Sequence, residues 1–101
     1  MRGEVYRLAA RGTGHEQRGR RFAVVLQPEW LDTSTWIVAV TTTRARATVF
    51  RPEVVIDGQR TLVLCDQLAT VDLLRLTQRA GSLDVDELRR VDKALVLVLD
   101  L

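Results

Sequence analysis

The sequence predicts a mainly β domain with one C-terminal helix, folded as a small antiparallel barrel. Three observations lead there. The chain has 101 residues, 47% of them hydrophobic, which is enough for one modest core and too little for two; residues 1–101 therefore read as a single domain. Short runs rich in β-branched residues recur along most of the chain, separated by Gly, Pro and Asp-Gly signals. Helical spacing of apolar residues appears persuasively only near the end. Short strands joined by tight turns close most of their own edge when the sheet twists into a barrel, and a terminal helix can cap one open face.

Taken in order, "GEVYRLAA" has a short strand pattern, with Val5 and Leu8 as apolar anchors and Tyr6 at a margin. Residues 11–20 form a polar loop punctuated by Gly12, Gly14 and Gly19. "RFAVVLQ" is a compact β-rich run stopped by Pro28, and "EWLDTST" a turn or a single helical turn. "WIVAVTTT" is the clearest strand, because β-branched residues dominate it. "RARA" is a basic loop. "TVFRPEVVI" reads as a strand interrupted by Pro52, which suits an edge or a bulge. Asp57-Gly58 is a hairpin signal; "TLVLCDQLATV" and "LTQRAGSL" follow as strands. Asp84 and Glu87 then spell a capping box, with Leu83 and Leu88 as its hydrophobic staple. Val85, Leu88, Val91, Leu95 and Val98 recur at helical spacing as a core-facing stripe.

Composition removes several function classes. His15 and Cys65 are the only histidine and cysteine, so neither an intramolecular disulfide nor a zinc site with three or four His and Cys ligands can form. Cys65, inside an apolar run, reads as a buried structural thiol. A carboxylate-only magnesium site from Glu16, Asp66 and Asp72 is the one metal alternative left, and no resident metal or cofactor is expected. Neither a phosphate-cradling P-loop nor a G-x-S-x-G elbow is present. With no leader and no apolar run long enough to span a bilayer, the expectation is a cytoplasmic protein that does not engage membranes. The net charge is only +2, yet Lys93 is the only lysine among 15 basic residues. Arginine's planar fork suits phosphates and base edges, although an arginine-favouring codon usage gives the same excess.

The polar groups gather where strands begin and end. Glu16, Gln17, Arg20 and Arg21 precede the second strand, while Thr41, Thr42 and Thr43 end the third and Arg44 and Arg46 follow. If those two strands pair antiparallel, Arg21 and Thr42 become neighbours. Such a pair suits cleavage of RNA by its own 2′-hydroxyl, in which the nucleophile belongs to the substrate. The protein must then hold the phosphate, stabilise charge at phosphorus and assist proton transfers. An arginine fork and a threonine hydroxyl meet the first two needs, and Glu16 or His15 could move protons. A surface ion pair of Arg21 with Glu16 accounts for the same residues without chemistry.

Together these segments resemble the MazF/PemK family of toxin endoribonucleases from bacterial toxin–antitoxin systems. "RGEVYRL" resembles the family's opening strand and "TGHEQRGRRFAVVLQ" its G-x-E-Q-x-G-x-R-P-x-V-V loop and strand. "WIVAVTTT" is similar to the strand that carries the family's active-site threonine. "LVLCDQLATVDLLRL" is similar to its D-Q-x-x-T-x-D segment, and "GSLDVDELRRVDKAL" to its closing helix. The resemblance implies an SH3-like barrel of the CcdB/PemK type. By position it places the catalytic arginine at Arg21, the threonine at Thr42 (Thr41 or Thr43 if the register slips by one) and the loop glutamate at Glu16. Gln67 and Arg75 match positions that contact RNA, and His15, Gln17, Arg18, Arg20, Arg44 and Arg46 are placed to read unstacked bases. Phe22 stands where the family has proline.

The implied activity is sequence-specific, metal-independent cleavage of single-stranded RNA, leaving 2′,3′-cyclic phosphate and 5′-hydroxyl ends and arresting translation and growth. A homodimer with RNA in a groove at its interface, and a cognate antitoxin masking that groove with an acidic tail, are implied with it. The same barrel also serves CcdB-type toxins, which bind gyrase and cut nothing; they would not need the Arg21–Thr42 pair with Glu16.

Overall fold

The computed structural model describes residues 1–9 and 21–101. The expectations for His15, Glu16, Gln17, Arg18 and Arg20 lie outside the described residues. Among the described residues, six strands and one helix follow in order: β1 Glu4–Leu8, β2 Phe22–Val25, β3 Thr35–Thr42, β4 Glu53–Ile56, β5 Gln59–Asp72, β6 Leu76–Ser82 and α1 Val85–Leu99. A 3-10 turn, Leu73–Arg75, joins β5 to β6. The strands form one sheet in the order β4-β5-β3-β2-β1-β6, and every neighbouring pair is antiparallel.

The sheet curls into a nearly closed barrel. The β4–β5 turn brings Asp57 beside Gln78, Arg79 and Ala80 of β6, and with Arg7 and Phe22 they line a pocket of about 220 Å³ at the seam. Strand β5 makes the curl: its register against β3 jumps between the pairs Ala39–Leu68 and Thr41–Val63. The unmatched residues form a bulge, which bends a strand and increases its twist. Asp57 and Gly58 both have positive φ, 54° and 75°. A two-residue turn of that hand matches the twist of the flanking strands, as the Asp-Gly pair predicted.

β2 is central, and all four of its residues are buried. Val5, Phe22, Val24, Ala39, Val63 and Cys65 belong to the core beneath α1. Ala23, Val25, Val38 and Val71 form a second core on the other face, flanked by Tyr6, Leu8 and Trp36. Val5 and Leu8, one strand's two anchors, thus serve opposite faces.

The helix starts as its sequence predicts. The Asp84 side chain accepts from the Glu87 N–H at 2.8 Å and Glu87 accepts from the Asp84 N–H at 3.0 Å. Glu87 also reaches the sheet, where its other oxygen accepts from the Val55 N–H at 2.8 Å. Arg90 donates to the Glu53 carbonyl at 2.9 Å. The outer edge of β4 is therefore closed by side chains of α1.

Two expectations are corrected. The core-facing stripe is shorter than its spacing suggests. Val91 and Ala94 are fully buried, while Val85 is 70% and Val98 36% exposed, so only the middle of α1, from Leu88 to Leu95, packs on the core. The strand expected over "TVFRPEVVI" begins only after Pro52. Proline has no N–H for the ladder, and Thr48 and Arg51 instead close a local bridge. No helix among the described residues is long and apolar enough to cross a membrane.

Candidate active site at the barrel end

The ladder between β2 and β3 pairs Val25 with Val38, Val24 with Ala39 and Ala23 with Val40. Arg21 directly precedes β2, and the same register carried two residues past the last pair would bring it to Thr42, the last residue of β3. The corner is tied from three sides. The Leu8 N–H donates to the Arg21 carbonyl at 3.0 Å, Thr42 pairs with Leu62 of β5, and the Thr41 hydroxyl donates to the Phe22 carbonyl at 3.0 Å.

The three threonines are thereby distinguished. Thr41 is 3% exposed and its proton is committed to the backbone. Thr42 is half-buried, and its Oγ1 accepts from the Arg44 N–H at 3.1 Å. That bond occupies a lone pair and leaves the hydroxyl proton to donate elsewhere. Thr43 lies past the strand in solvent. The sequence could not make this choice, because "WIVAV" is apolar on both faces and loses the alternation that would set register.

Arg21, Arg44 and Arg46 are exposed and have no carboxylate partner among the described residues. Gln67 is exposed in the β5 bulge, across from Val40. Arg75 is partly buried: it donates to the Ala9 carbonyl at 3.1 Å, while Ala9 donates to the Arg75 carbonyl at 2.7 Å. Its buried Nε has no partner among the described residues. Arg75 thus pins the end of β1 as well as offering a donor.

Asp66 and Asp72, considered above as metal ligands, are engaged otherwise. Asp66 holds Arg51 in a two-pronged pair at 3.0 and 2.8 Å, and Asp72 caps the 3-10 turn by accepting from the Leu74 N–H. No cluster of three His, Cys, Asp or Glu side chains exists among the described residues. The Arg51 bonds hold the Asp66 carboxyl below the usual carboxylate range, and Asp66 raises the Arg51 guanidinium. Sequence reasoning does not single out Arg51, which tethers the loop carrying Arg44 and Arg46 back to β5. A basic residue beside a strand-breaking proline was the available signal. Burial pushes the Cys65 thiol up to about 11, so it is a neutral thiol at ordinary pH and a poor nucleophile.

Residues 1–99 match the model of the PemK-like, MazF-like toxins of type II toxin–antitoxin systems. The chain belongs to that family. A Mycobacterium tuberculosis relative named "Putative toxin Rv3098A" is 38% identical to this MazF-like chain over 104 residues, covering 100% of it and 98% of the relative. Among solved structures, the MazF-like fold matches an endoribonuclease in complex with its cognate antitoxin from a mycobacterial species. The TM-score is 0.82 at 19% identity, over 100% of this chain and 95% of that one. MazF from Deinococcus radiodurans matches with a TM-score of 0.75 and 28% identity, over 99% and 96% of the two chains. The expected family and barrel are thus both found.

Proposed function

We propose that this MazF-like toxin is an endoribonuclease that cleaves single-stranded RNA without a resident metal. The observation that supports the reading is the antiparallel β2–β3 ladder, whose register, carried on, brings the exposed Arg21 to Thr42, with Arg44 and Arg46 following. The substrate's 2′-oxygen attacks phosphorus as its proton leaves to a base. The bond to the 5′-oxygen breaks, and that oxygen takes up a proton, leaving a 2′,3′-cyclic phosphate and a 5′-hydroxyl. Arg21 would neutralise charge on the phosphoryl oxygens, and Thr42 would donate its free hydroxyl proton to one of them. Glu16 or His15 would shuttle the protons. Arg44, Arg46, Gln67 and Arg75, with the loop residues Gln17, Arg18 and Arg20, would grip backbone and bases.

The chain would act in the cytoplasm as a homodimer, held in check by an antitoxin whose acidic segment covers the same arginines. An apolar groove of about 650 Å³ between α1 and the loop after β3, floored by Val49, Pro52, Val96 and Leu97, supports a second copy as its occupant. Contiguous apolar surface of this kind marks an interface.

The deciding experiment is cleavage of an in vitro transcribed single-stranded RNA in the presence of chelator, with the ends of the products mapped. Cyclic phosphate and 5′-hydroxyl ends are expected. Abolition by chelator with rescue by magnesium would overturn the metal-independent route. A folded protein that cuts no RNA would place the chain with the gyrase-binding class.

A further inference from the structure

Thr41 bears a hydroxyl where a valine would fill the same space and bury no polar group. A buried hydroxyl is tolerated when it is hydrogen-bonded, and this one donates to the Phe22 carbonyl at 3.0 Å. Its two residues are the chain neighbours of the reactive pair: Phe22 follows Arg21, and Thr41 precedes Thr42. The β2–β3 pairs end at Ala23–Val40, one step short of Phe22 and Thr41, and on the other side the β3–β5 register jumps between Ala39 and Thr41. Arg21 is held to β1 through Leu8, whereas Thr42 is held to β5 through Leu62. Each member of the pair thus hangs from a different neighbouring strand.

We propose that Thr41 is a positioning residue, whose hydroxyl clamps the start of β2 to the end of β3 and so fixes Arg21 relative to Thr42. This rests on the reading of Arg21 and Thr42 as the reactive pair. Displacing a catalytic group by about 1 Å costs ~10²-fold in rate, so a clamp at this corner reaches the chemistry without touching RNA.

The test compares Thr41→Val, which keeps the shape and removes the hydroxyl, with Thr41→Ser, which keeps the hydroxyl and removes a methyl. Single-turnover cleavage of a transcribed single-stranded RNA, RNA affinity and thermal melting are measured on the same samples. Thr41→Val should slow cleavage by roughly 10- to 100-fold with affinity unchanged. Thr41→Ser should cut near the parental rate although it melts earlier. Rate then follows the hydroxyl and stability follows the methyl. In an Arg21→Ala background, Thr41→Val should cost little further, because groups that act as a unit are not additive. If Thr41→Val does not fold, the Thr41→Ser and Thr41→Ala pair repeats the comparison with the methyl absent from both. A folded Thr41→Val protein that cuts at the parental rate, beside an inactive Arg21→Ala protein, overturns the clamp. An active Arg21→Ala protein overturns the reactive pair itself.

Discussion

Arg51 and Asp66 show how much one ion pair can organise at the residue scale. The guanidinium meets the carboxylate through two parallel bonds and lies 5.6 Å from the Phe50 ring centroid, so the loop after β3 returns to β5 at a fixed point. Because the bound carboxyl of Asp66 titrates below its usual range, its stabilising effect is complete above the ordinary Asp range. It is lost as pH falls through the lowered value. Thermal melting between about pH 5 and pH 2 should therefore fall less steeply in Asp66→Asn than in the parent, and added salt should narrow the difference. Arg21 belongs to a different category, since its proposed partner is the substrate. Arg21→Ala should reduce single-turnover cleavage ~10²-fold or more, the scale of losing one preorganised donor. Arg21→Lys should recover only part of that, lacking the planar fork. Unchanged turnover in a folded Arg21→Ala protein would remove the residue from the chemistry.

At the scale of elements, what the sequence revealed depended on whether one signal or two competed. The helix start was readable because Asp84 and Glu87 act locally, and the hairpin at Asp57-Gly58 because positive φ leaves few residue choices. The bulge in β5 was not. Asp66 and Gln67 interrupt the apolar run of "LVLCDQLA", but two polar residues in a strand do not by themselves specify a bulge, and the register jump shows only in how β5 pairs with β4 and β3. The same tertiary demand hid the inward threonine. Reading Arg21 and Thr42 as neighbours assumed antiparallel β2 and β3, and the two strands do run antiparallel. Glu87 offers a test at this level, since it joins the helix cap to the β4 edge. Glu87→Ala should lower unfolding free energy by about 0.5–2 kcal/mol in denaturant titration, the range for losing a helix cap, since the exposed Val55 N–H can turn to water. Glu87→Gln should recover most of it.

For the whole molecule, the apolar end of α1 is the feature a barrel on its own does not explain. Leu97 is 57% and Leu101 82% exposed, and Val49 across the groove is 73% exposed. A two-fold contact through this surface would cover all three at once. Leu97→Asp should shift the protein to monomer in light scattering at micromolar concentration while leaving its circular dichroism intact. A parent that is monomeric at the same concentration would mean that this face serves another partner. Cleavage by the Leu97→Asp protein would then show whether one copy suffices for RNA.

The side chains of Glu87 and Arg90 occupy the outer face of β4 where a seventh strand would otherwise pair. Since α1 follows every strand in the chain, synthesis produces the whole sheet before it produces the groups that seal it. Until then the nascent polypeptide carries an adhesive border, able to template pairing with another chain. Timing of translation thus enters the protein's solubility. Slow decoding of the codons for residues 85–99 should lengthen that vulnerable interval and raise the aggregated fraction, whereas a chaperone recruited to the ribosome should lower it, with no change in the finished protein.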